Sequence, residues 1–400
     1  MEEIRISEIY KAQQVLKDVA RHPKIIGPTT LSDKCDVYLK PENLQYTGSF
    51  KLRGAYYKIS QLSDEEKQRG VIACSAGNHA QGVALGARNN GIKALICLPA
   101  GAPISKIEAT RRLGAEVCLV PGVYDDAYAK ALELKEQYGY TFVHPFDDPL
   151  VIAGQGTIGL EIIEEMPDVD AIVVPVGGGG LISGVAFAVK TLRPDIKVYG
   201  VQSEGAPSMA RSLHKGKPVH LDSVSTIADG IAVKEPGVNT LEMCRRYVDE
   251  VVTVTDDEIA AAILALIEKQ KLITEGAGAT AAAAVMFDKL PVEGRKVVCL
   301  ASGGNIDVTI LNRVITRGMM VGGRMCTLTL LLEDSPGQLS GVSNIIGKLG
   351  GNVLSVTHER TKPTTHINSC SLHVDLETRN AEHIDIIRKG LADAGFTVVK

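Results

Sequence analysis

The sequence predicts an α/β protein with a second, smaller domain of different architecture. Short apolar and β-branched runs alternate with longer helical patterns over most of the chain, as in parallel βαβ units whose sheets are covered on both faces. Glycine accounts for 40 of the 400 residues, which favours tight turns and loops that approach a ligand closely. Near residue 320 the pattern changes to alternating apolar and polar residues, which indicates a half-buried strand and a new domain.

In the larger part of the chain, strands and helices are predicted to alternate. The predicted strands cover residues 70–74, 94–98, 116–120, 170–176, 197–202 and 296–300. The predicted helices cover residues 78–89, 104–113, 124–137, 181–191 and 259–267. The last of these helices follows Thr255 and Glu258, whose spacing is that of a capping box. Strands joined by helices of this length pair in parallel.

Residues 318–323 contain three glycines and predict a short flexible joint between a domain of residues 1–318 and one of residues 319–400. The predicted elements beyond it are a strand over 326–332, a helix over 337–349, strands over 352–359 and 367–374, a helix over 381–394 and a strand over 396–399. This βαββαβ order is the split ferredoxin-like arrangement. The segment from about Arg324 onward is long enough to fold as its own domain.

Composition and charge argue against several classes of partner. Acidic residues number 47 and basic residues 43, so the net charge of −4 gives no bias towards nucleic acid. Aromatic residues make up 4% and there is no tryptophan, which disfavours stacking on single-stranded nucleic acid. No apolar run reaches the ~18 residues of a membrane span, and residues 1–5 do not begin a signal peptide. We therefore expect a cytoplasmic protein with no nucleic-acid or membrane partner.

The cysteines and histidines give no metal-binding pattern. The eight cysteines are scattered without a Cys-x-x-Cys pair, so we expect reduced thiols that pack as small apolar side chains. The nine histidines show neither the His-x-x-x-His nor the His-x-x-Glu-His spacing. No metal site is expected from these spacings.

Residues 177–180 are four consecutive glycines between a predicted strand and a predicted helix. Their backbone N–H groups, with the positive end of the helix dipole, can form a cup for a phosphate. One alternative is a tight turn that packs closely for structural reasons. Another is a loose dinucleotide fingerprint made by residues 178–180 with Gly184, and with Glu204 as the ribose-binding acid. That pattern would define an NAD-dependent dehydrogenase, but its third glycine is one place too late.

Two other segments indicate a catalytic function only when they are considered together with the other motifs. Residues 49–55 read Ser-Phe-Lys-Leu-Arg-Gly-Ala, and Lys51 taken by itself is more typical of a solvated surface. Residues 75–79 read Ser-Ala-Gly-Asn-His, end a predicted strand and open a predicted helix. Their backbone N–H groups can hold a carboxylate, or the segment is another tight turn.

Taken in order, these motifs and Ser-Gly-Gly-Asn at residues 302–305 resemble the tryptophan-synthase-β-like, or fold type II, pyridoxal-phosphate enzymes, and among them the threonine dehydratases. The resemblance covers roughly residues 1–318 and implies a two-subdomain fold with its smaller subdomain at about 44–148. The tail motif Asp-Ser-Pro-Gly-Gln-Leu at residues 334–339 resembles an ACT regulatory domain. Together they resemble the short dehydratase form that carries one ACT domain.

The resemblance implies a role for each matched residue. Lys51 matches the lysine that holds the cofactor covalently and later takes the substrate Cα proton. Ser302 matches the hydroxyl facing the pyridine nitrogen, where a neutral group suits elimination better than transamination. The other implied cofactor-binding residues are Phe50 on the pyridine ring, Asn78 on the phenolic oxygen, and Gly177, Gly178, Gly179, Gly180 and Leu181 on the phosphate. The implied substrate-binding residues are Ser75, Ala76, Gly77, Asn78, His79, Gly230 and Glu275.

Two features depart from relatives that racemise serine. Those relatives carry a second serine where this chain has Ala76, which has no proton to exchange. They also carry acidic ligands for a divalent ion where this chain has Gln202 and Ser208, with Glu204 out of register. The resemblance therefore implies neither racemisation nor a divalent-metal site.

The function implied by the resemblance is the pyridoxal-phosphate-dependent deamination of L-threonine to 2-oxobutanoate and ammonia, with L-serine giving pyruvate as a secondary activity. A homodimer or homotetramer is implied. We expect the tail to bind a small aliphatic amino acid between paired ACT domains, and metabolic logic suggests isoleucine or valine, which lie downstream of 2-oxobutanoate. The alternative is a domain that only joins subunits. The expected regulatory residues are Pro336, Gly337, Leu339 and Asn352, because the turn before a helix can hold a carboxylate. The alternatives are an NAD-dependent dehydrogenase and a non-catalytic amino-acid sensor.

Overall fold

The computed structural model describes residues 4–360 and 368–399, in two compact units that divide between Asp307 and Val308. The predicted domains divide after residue 318 instead. The start of the predicted strand 367–374, Ile367, lies outside the described residues. Among the residues described, no helix combines the length and the apolar character that crossing a membrane requires.

The first unit contains two sheets built mainly from parallel strands. Its strands are β1 Ile26–Thr29, β2 Asp36–Lys40, β3 Val71–Cys74, β4 Ala94–Pro99, β5 Glu116–Val120, β6 Thr141–Phe142, β7 Ala171–Pro175, β8 Lys197–Ser203, β9 Glu250–Val254 and β10 Lys296–Leu300. The larger sheet has the order β1-β2-β10-β7-β8-β9, in which only the β1–β2 pair is antiparallel. The smaller sheet, β5-β4-β3-β6, is parallel throughout. The predicted α/β class and all six predicted strands of this part are confirmed.

Helices connect these strands and cover the sheets. They are α1 Ile6–Leu16, α2 Lys51–Ser60, α3 Asp64–Arg69, α4 Asn78–Asn89, α5 Ile104–Arg112, α6 Tyr124–Tyr138, α7 Pro149–Glu165, α8 Gly180–Leu192, α9 Ser208–Lys215, α10 Val238–Tyr247, α11 Asp256–Ala265 and α12 Gly276–Met286. Short 3-10 turns cover Glu42–Leu44 and Asp229–Ile231, and a π-helical turn, Leu266–Gln270, extends α11. The predicted capping box forms, since the Thr255 hydroxyl accepts from the Glu258 N–H at 3.1 Å and the Glu258 carboxylate accepts from the Thr255 N–H at 2.8 Å.

Glycines let α2, α7 and α8 pack at short distances. A Cβ on Gly154 of α7 would lie 2.6 Å from the Gly54 Cα of α2, and one on Gly54 would lie 2.6 Å from the Val151 carbonyl oxygen. A Cβ on Gly184 of α8 would lie 2.3 Å from the Ile152 carbonyl oxygen of α7. Because real Cβ atoms do not approach that closely, these three helices need glycine at their contacts. This packing fixes α2, whose first residue is Lys51.

A buried ionic cluster also anchors α2. Arg53 donates to Glu42 at 2.8 Å and to Glu161 at 2.5 Å, and Lys40 donates to the other Glu161 oxygen at 2.8 Å. Burial alone would lower the pKa of Arg53, but Glu42 and Glu161 raise it above its ordinary value, so the guanidinium stays charged. The segment around Lys51 is therefore part of the protein interior, and its interpretation as a solvated surface is wrong.

The second unit is a helix followed by an antiparallel sheet with two covering helices. Its elements are α13 Val308–Val321, β11 Met325–Glu333, α14 Gln338–Lys348, β12 Asn352–Glu359, β13 Ser369–Glu377, α15 Ala381–Asp393 and β14 Thr397–Val398. The strand order is β12-β13-β11-β14, with every pair antiparallel. Alternate residues of β11, namely Leu328, Leu330 and Leu332, are buried with residues of α14 and α15. The predicted βαββαβ order is confirmed.

The predicted flexible joint at residues 318–323 is wrong in its first part. Helix α13 continues to Val321, and the Gly322 N–H still donates to the Gly318 carbonyl oxygen at 2.9 Å. Gly318 is buried within the helix, where a glycine costs helix stability without ending the helix. Only Gly323 has a left-handed backbone, with φ +66°, and a Cβ there would lie 2.4 Å from the Ala381 nitrogen. The glycine-rich segment is thus a helix end followed by one tight turn.

Candidate active site

The candidate site lies where strands of the first unit end. Three residues mark the carboxyl ends of these strands: Ser75 directly follows β3, Ala301 directly follows β10, and Gly177 lies two residues beyond β7. In open parallel sheets, ligands bind outside these strand ends. The structure brings the predicted cofactor-binding and substrate-binding residues of the first unit together around Lys51 and Glu275.

Lys51 has a buried environment that favours its neutral amine. The Lys51 Nζ donates to the Pro145 carbonyl oxygen at 2.6 Å and lies 5.3 Å from the centre of the Phe50 ring. Burial lowers the pKa of Lys51 to about 8, although Glu275 opposes this shift. An amine with such a pKa is a nucleophile and a base near neutral pH, whereas an ordinary lysine is almost fully protonated.

Backbone hydrogen bonds place Phe50 beside Ser302, far away in the sequence. The Phe50 N–H donates to the Ser302 carbonyl oxygen at 3.1 Å, and the Gly304 N–H donates to the Gly48 carbonyl oxygen at 2.8 Å. Ser302 is buried. The segment after β10 and the segment before α2 therefore form one wall of the site.

Asn78, at the start of α4, is fixed from both sides. Its Nδ2 donates to Glu275 Oε1 at 2.6 Å, and its Oδ1 accepts from Asn305 Nδ2 at 2.7 Å. The same Asn305 nitrogen donates to the Thr47 carbonyl oxygen at 2.7 Å. An amide nitrogen carries two hydrogens, so Asn78 keeps one donor for a ligand after it binds Glu275.

Glu275 is a buried carboxyl group with an unusual protonation state. Burial and the nearby Asp229 raise the pKa of Glu275 to about 7, although the hydrogen bond from Asn78 and the charges of Lys106 and Lys51 oppose the shift. Lys106 pairs with Asp229 at 2.8 Å, which holds that second carboxylate in place. Near neutral pH, Glu275 therefore exists in comparable amounts as acid and carboxylate.

Gly230 lies directly against this carboxyl group. It belongs to the 3-10 turn Asp229–Ile231, and a Cβ on it would lie 3.2 Å from Glu275 Oε1 and 3.1 Å from the Ala277 Cβ. A larger residue would push against the Glu275 side chain. The structure thus brings Gly230 and Glu275 together.

The four-glycine loop forms the turn from β7 into α8. Gly179 has a φ of +100°, which favours glycine, and the first backbone N–H groups of α8 have no acceptor inside the helix. A Cβ on Gly178 would lie 2.4 Å from the Phe146 ring, and one on Gly180 would lie 2.7 Å from the Phe146 carbonyl oxygen. Close packing therefore explains part of the glycine run, while the helix N-terminus that includes Leu181 remains suited to an anion.

The segment Ser75 to His79 forms the second helix N-terminus of the site. The Ser75 hydroxyl accepts from the Gly77 N–H at 3.1 Å, and a Cβ on Gly77 would meet nothing within 4 Å. Ala76 is half-buried beside them.

The His79 Nε2 lies 2.8 Å from the Val143 carbonyl oxygen and its Nδ1 has no partner. Burial, with Lys51, lowers the pKa of His79 to about 3, so this histidine is neutral and its Nε2 is the donor.

The structure also places the residues of the dinucleotide-binding alternative and those at the divalent-ion positions. Gly184 provides the close contact between α8 and α7 described above, and Glu204 is exposed beyond the end of β8. Gln202 and Ser208 are buried, and Gln202 bridges the Val176 carbonyl oxygen at 3.3 Å and the Ala210 N–H at 2.9 Å. The Gln202 amide is therefore used in hydrogen bonds within the protein.

The predicted regulatory residues lie in the second unit. Pro336 and Gly337 precede α14, and Gly337 has a φ of +93°. Leu339, on the first turn of that helix, is exposed. Asn352 begins β12, and its Nδ2 donates to Glu377 Oε2 at 3.1 Å.

Sequence analysis missed several residues that build the site. Pro145 accepts from Lys51 and Phe146 packs on the glycine loop, but their segment has no motif that would reveal this. Lys106 and Asp229 act on Glu275 through a contact between distant segments. Asn305 orients Asn78, and here a signal existed, since Asn305 ends the Ser-Gly-Gly-Asn motif at residues 302–305.

The geometry fits a cofactor with an aldehyde, an aromatic ring and a phosphate. The Lys51 amine, whose pKa is lowered, suits the aldehyde, and the Phe50 ring beside it offers an apolar surface for the aromatic ring. The α8 N-terminus with its glycine loop has the unpaired N–H donors that a phosphate needs. This combination defines a pyridoxal-phosphate enzyme of fold type II.

Comparison with known proteins agrees with this class. Residues 24–303 match the family described as pyridoxal-phosphate dependent enzyme. An L-threonine ammonia-lyase of Thermotoga maritima is 50% identical over 99% of this chain and 99% of its own. The structure of the processed form of threonine deaminase isoform 2 from Solanum lycopersicum has a TM-score of 0.74 at 42% identity, covering 78% of this chain and 89% of that one. Maize serine racemase has a TM-score of 0.73 at 34% identity, covering 79% and 98%. The chain belongs to the pyridoxal-phosphate dependent enzyme family.

Proposed function

We propose that this chain is a pyridoxal-phosphate-dependent lyase that deaminates L-threonine to 2-oxobutanoate and ammonia, with L-serine as a slower substrate that gives pyruvate. The observation that carries the proposal is the Lys51 amine, whose pKa is lowered to about 8, next to Phe50, Asn78 and a glycine-rich helix N-terminus. The relative named L-threonine ammonia-lyase, which is 50% identical over nearly the whole chain, supports the choice of substrate.

The residues that would hold the cofactor follow from their chemistry. Lys51 would attach to the aldehyde, Phe50 would pack on the ring, and the free Asn78 hydrogen would bond the phenolic oxygen. Ser302 would meet the pyridine nitrogen, and the N–H groups of residues 177–181 would bind the phosphate. When bound, pyridoxal phosphate supplies an electron-withdrawing ring that stabilises the electron pair left by the broken Cα–H bond.

The chain's own residues then orient the substrate and move its protons. The N-terminus of α4, at Ser75 to His79, would bind the substrate carboxylate through backbone N–H groups. The Lys51 amine takes the Cα proton, for which a pKa of about 8 is well matched to neutral pH. The Cα proton and the β-hydroxyl together account for the one water that is lost. The released enamine then takes up one water and gives the keto acid and ammonia without further help from the protein.

The experiment is a keto-acid assay combined with an absorption spectrum. We expect the purified chain with pyridoxal phosphate to release 2-oxobutanoate and ammonia in equal amounts from L-threonine. Its visible cofactor band should bleach with borohydride. A dehydrogenase would instead reduce NAD without that band, and an amino-acid sensor would bind threonine without turnover. Either of these results would refute the proposal.

We further propose that the second unit is an ACT-like domain that binds an amino-acid effector. Gly337, with its positive φ, leaves the first N–H groups of α14 open to a carboxylate. Because the Asn352 amide nitrogen is used by Glu377, the Asn352 oxygen and the Glu377 carboxylate are both suited to an effector ammonium group. Exposed Leu339 can contact an aliphatic side chain. Isoleucine and valine are the proposed effectors, bound between paired domains in a homodimer or homotetramer.

We also propose a cytoplasmic location. All eight cysteines are free thiols, five of them buried, which is typical of a reducing compartment.

A further inference from the structure

Three metal-ligating side chains of different chemistry meet in the second unit. Ligand atoms of Asp334, His358 and Cys370 all lie within 4.8 Å of one another, and His358 Nε2 is 2.9 Å from Cys370 Sγ. Within residues 4–360 and 368–399, no other group of three such side chains comes this close. The cluster is outside the proposed catalytic site, and nothing in the deamination of threonine uses it.

Strand register brings these residues together. Cys370 on β13 pairs with Leu332 on β11, so Asp334 lies just beyond the same end of the sheet. His358 on β12 pairs with Leu372 on the other side of β13, two residues from Cys370 and therefore on the same face. Two adjacent strands, and the residue that follows a third, thus each contribute one ligand at a single corner of the sheet. Antiparallel pairing fixes these positions, so the cluster needs no induced change of fold.

The burial pattern of the cluster suits an ion that enters from solvent. Cys370 is fully buried, whereas His358 and Asp334 are exposed above it. Because the buried Cys370 thiol lies beneath the exposed His358 and Asp334, a metal ion can reach the cluster from solvent.

Arg360 provides the orienting contact that metal ligands usually have. Its Nε donates to Asp334 Oδ1 at 3.0 Å. A carboxylate has a second oxygen with free lone pairs, so Asp334 can bind a metal while Arg360 holds its orientation. A thiolate and a carboxylate carry two negative charges, which a divalent cation would neutralise.

We propose that Asp334, His358 and Cys370 form a binding site for a divalent transition metal, with Zn²⁺ as the best-fitting ion. Thiolate, imidazole and carboxylate are the three ligand types that Zn²⁺ uses, and the sulfur excludes Mg²⁺ and Ca²⁺. Binding breaks the Cys370 S–H bond, forms a metal–sulfur bond and releases the proton to solvent. The fourth tetrahedral position faces solvent and takes water.

The test uses the full-length holoenzyme, dialysed free of metal and titrated with Zn²⁺ in a calorimeter. We expect one high-affinity equivalent per chain. The dissociation constant should rise at least about tenfold in His358→Gln and in Asp334→Asn, because even orienting partners of metal ligands contribute 10–100-fold. Titration with Co²⁺ should give a thiolate-to-cobalt charge-transfer band that disappears in Cys370→Ser.

Matched variants separate this site from other thiols and imidazoles of the same unit. Cys326→Ser and His373→Gln change a cysteine of β11 and a histidine of β13 outside the cluster, and both should bind as tightly as the parent chain. His358 is exposed, so His358→Gln should fold even if Cys370→Ser does not, which circular dichroism would show. Absence of a Zn²⁺ equivalent in the parent chain would overturn the proposal. So would unchanged affinity in His358→Gln.

Discussion

Asn78 donates a 2.6 Å hydrogen bond to Glu275, a carboxyl group whose pKa is raised to about 7 by burial. The bond joins the start of α4 to the start of α12, and it fixes the amide that we assign to the cofactor. Since Glu275 can be either acid or carboxylate near neutral pH, the charge next to the cofactor depends on pH in the physiological range.

Replacing Glu275 with glutamine should change how stability depends on pH. The pKa of Glu275 in the folded chain, about 7, lies above the ordinary value of 4.5, so the folded state binds the extra proton between these pH values. The parent chain should therefore lose stability as pH rises from about 4.5 to about 7, while Glu275→Gln should lack that part of the slope. Urea unfolding at several pH values measures this. The exposed Glu136→Gln serves as the control, and an identical slope in parent and Glu275→Gln would contradict the assigned pKa shift.

Lys51→Ala should abolish turnover and leave the fold intact. The same amine is proposed to hold the cofactor and to move the Cα proton, so both functions disappear together. Keto-acid release from threonine and the visible cofactor spectrum measure the two losses. Lys58→Ala, on the same helix but paired with Asp148 at 2.9 Å, should keep most of the activity. More than a few per cent of residual turnover in Lys51→Ala would move the catalytic role to another lysine.

L-Serine should be a slower substrate and not a rejected one. It differs from L-threonine by one methyl group, and a pocket discriminates a methyl by about 1–3 kcal/mol, or roughly 10–200-fold in kcat/KM. Steady-state assays of pyruvate and 2-oxobutanoate release give this ratio directly. Complete inertness towards serine would mean that the methyl group positions the reacting bonds, in disagreement with our account.

The chain should not racemise serine at a significant rate, although maize serine racemase has a similar structure. The expected reason is Ala76, which cannot exchange a proton on the ring face opposite Lys51. Chiral chromatography of the serine left after partial turnover tests this. Ala76→Ser is the informative variant, because it should gain D-serine formation. Accumulation of D-serine by the parent chain as fast as pyruvate would refute the prediction.

Effector binding should depend on the turn before α14. Gly337 has a φ of +93° and open space where a Cβ would lie, so Gly337→Ala strains the backbone without a steric clash. We expect isoleucine or valine to bind the parent chain and to bind Gly337→Ala and Asn352→Ala much more weakly. Calorimetry on full-length proteins measures this, with Gly347→Ala as the control, since Gly347 also has open space and lies at the far end of α14. Equal binding by all variants would contradict the proposed effector site at Gly337 and Asn352.

The order and type of the elements were largely predictable because the chain alternates clear strand and helix signals. Parallel strands such as β7 are buried at every position, and such runs are easy to recognise. The flexible joint predicted at residues 318–323 is partly wrong because a glycine lowers the stability of a helix without necessarily ending it. Helix α13 keeps its hydrogen bonds through Gly318.

The residues of the candidate site likewise fall into two groups, those that sequence motifs predict and those that only the structure reveals. Lys51, Asn78 and Ser302 lie in motifs that resemble a known family, and the structure brings these residues together. Pro145 and Asp229 act through contacts between distant segments, which sequence spacing does not encode. The same reason explains why no metal site was expected, since strand register alone brings His358 to Cys370.

The glycine contacts among α2, α7 and α8 set a limit on engineering this enzyme for heat resistance. Helix propensity suggests replacing interior glycines with alanine, for a gain of up to about 1 kcal/mol each. At Gly54, Gly154 and Gly184 the added methyl would instead collide with neighbouring backbone at 2.3–2.6 Å. The helix that carries Lys51 would be displaced with it. A thermostable variant must therefore leave these three positions unchanged and obtain its gains at exposed helix positions.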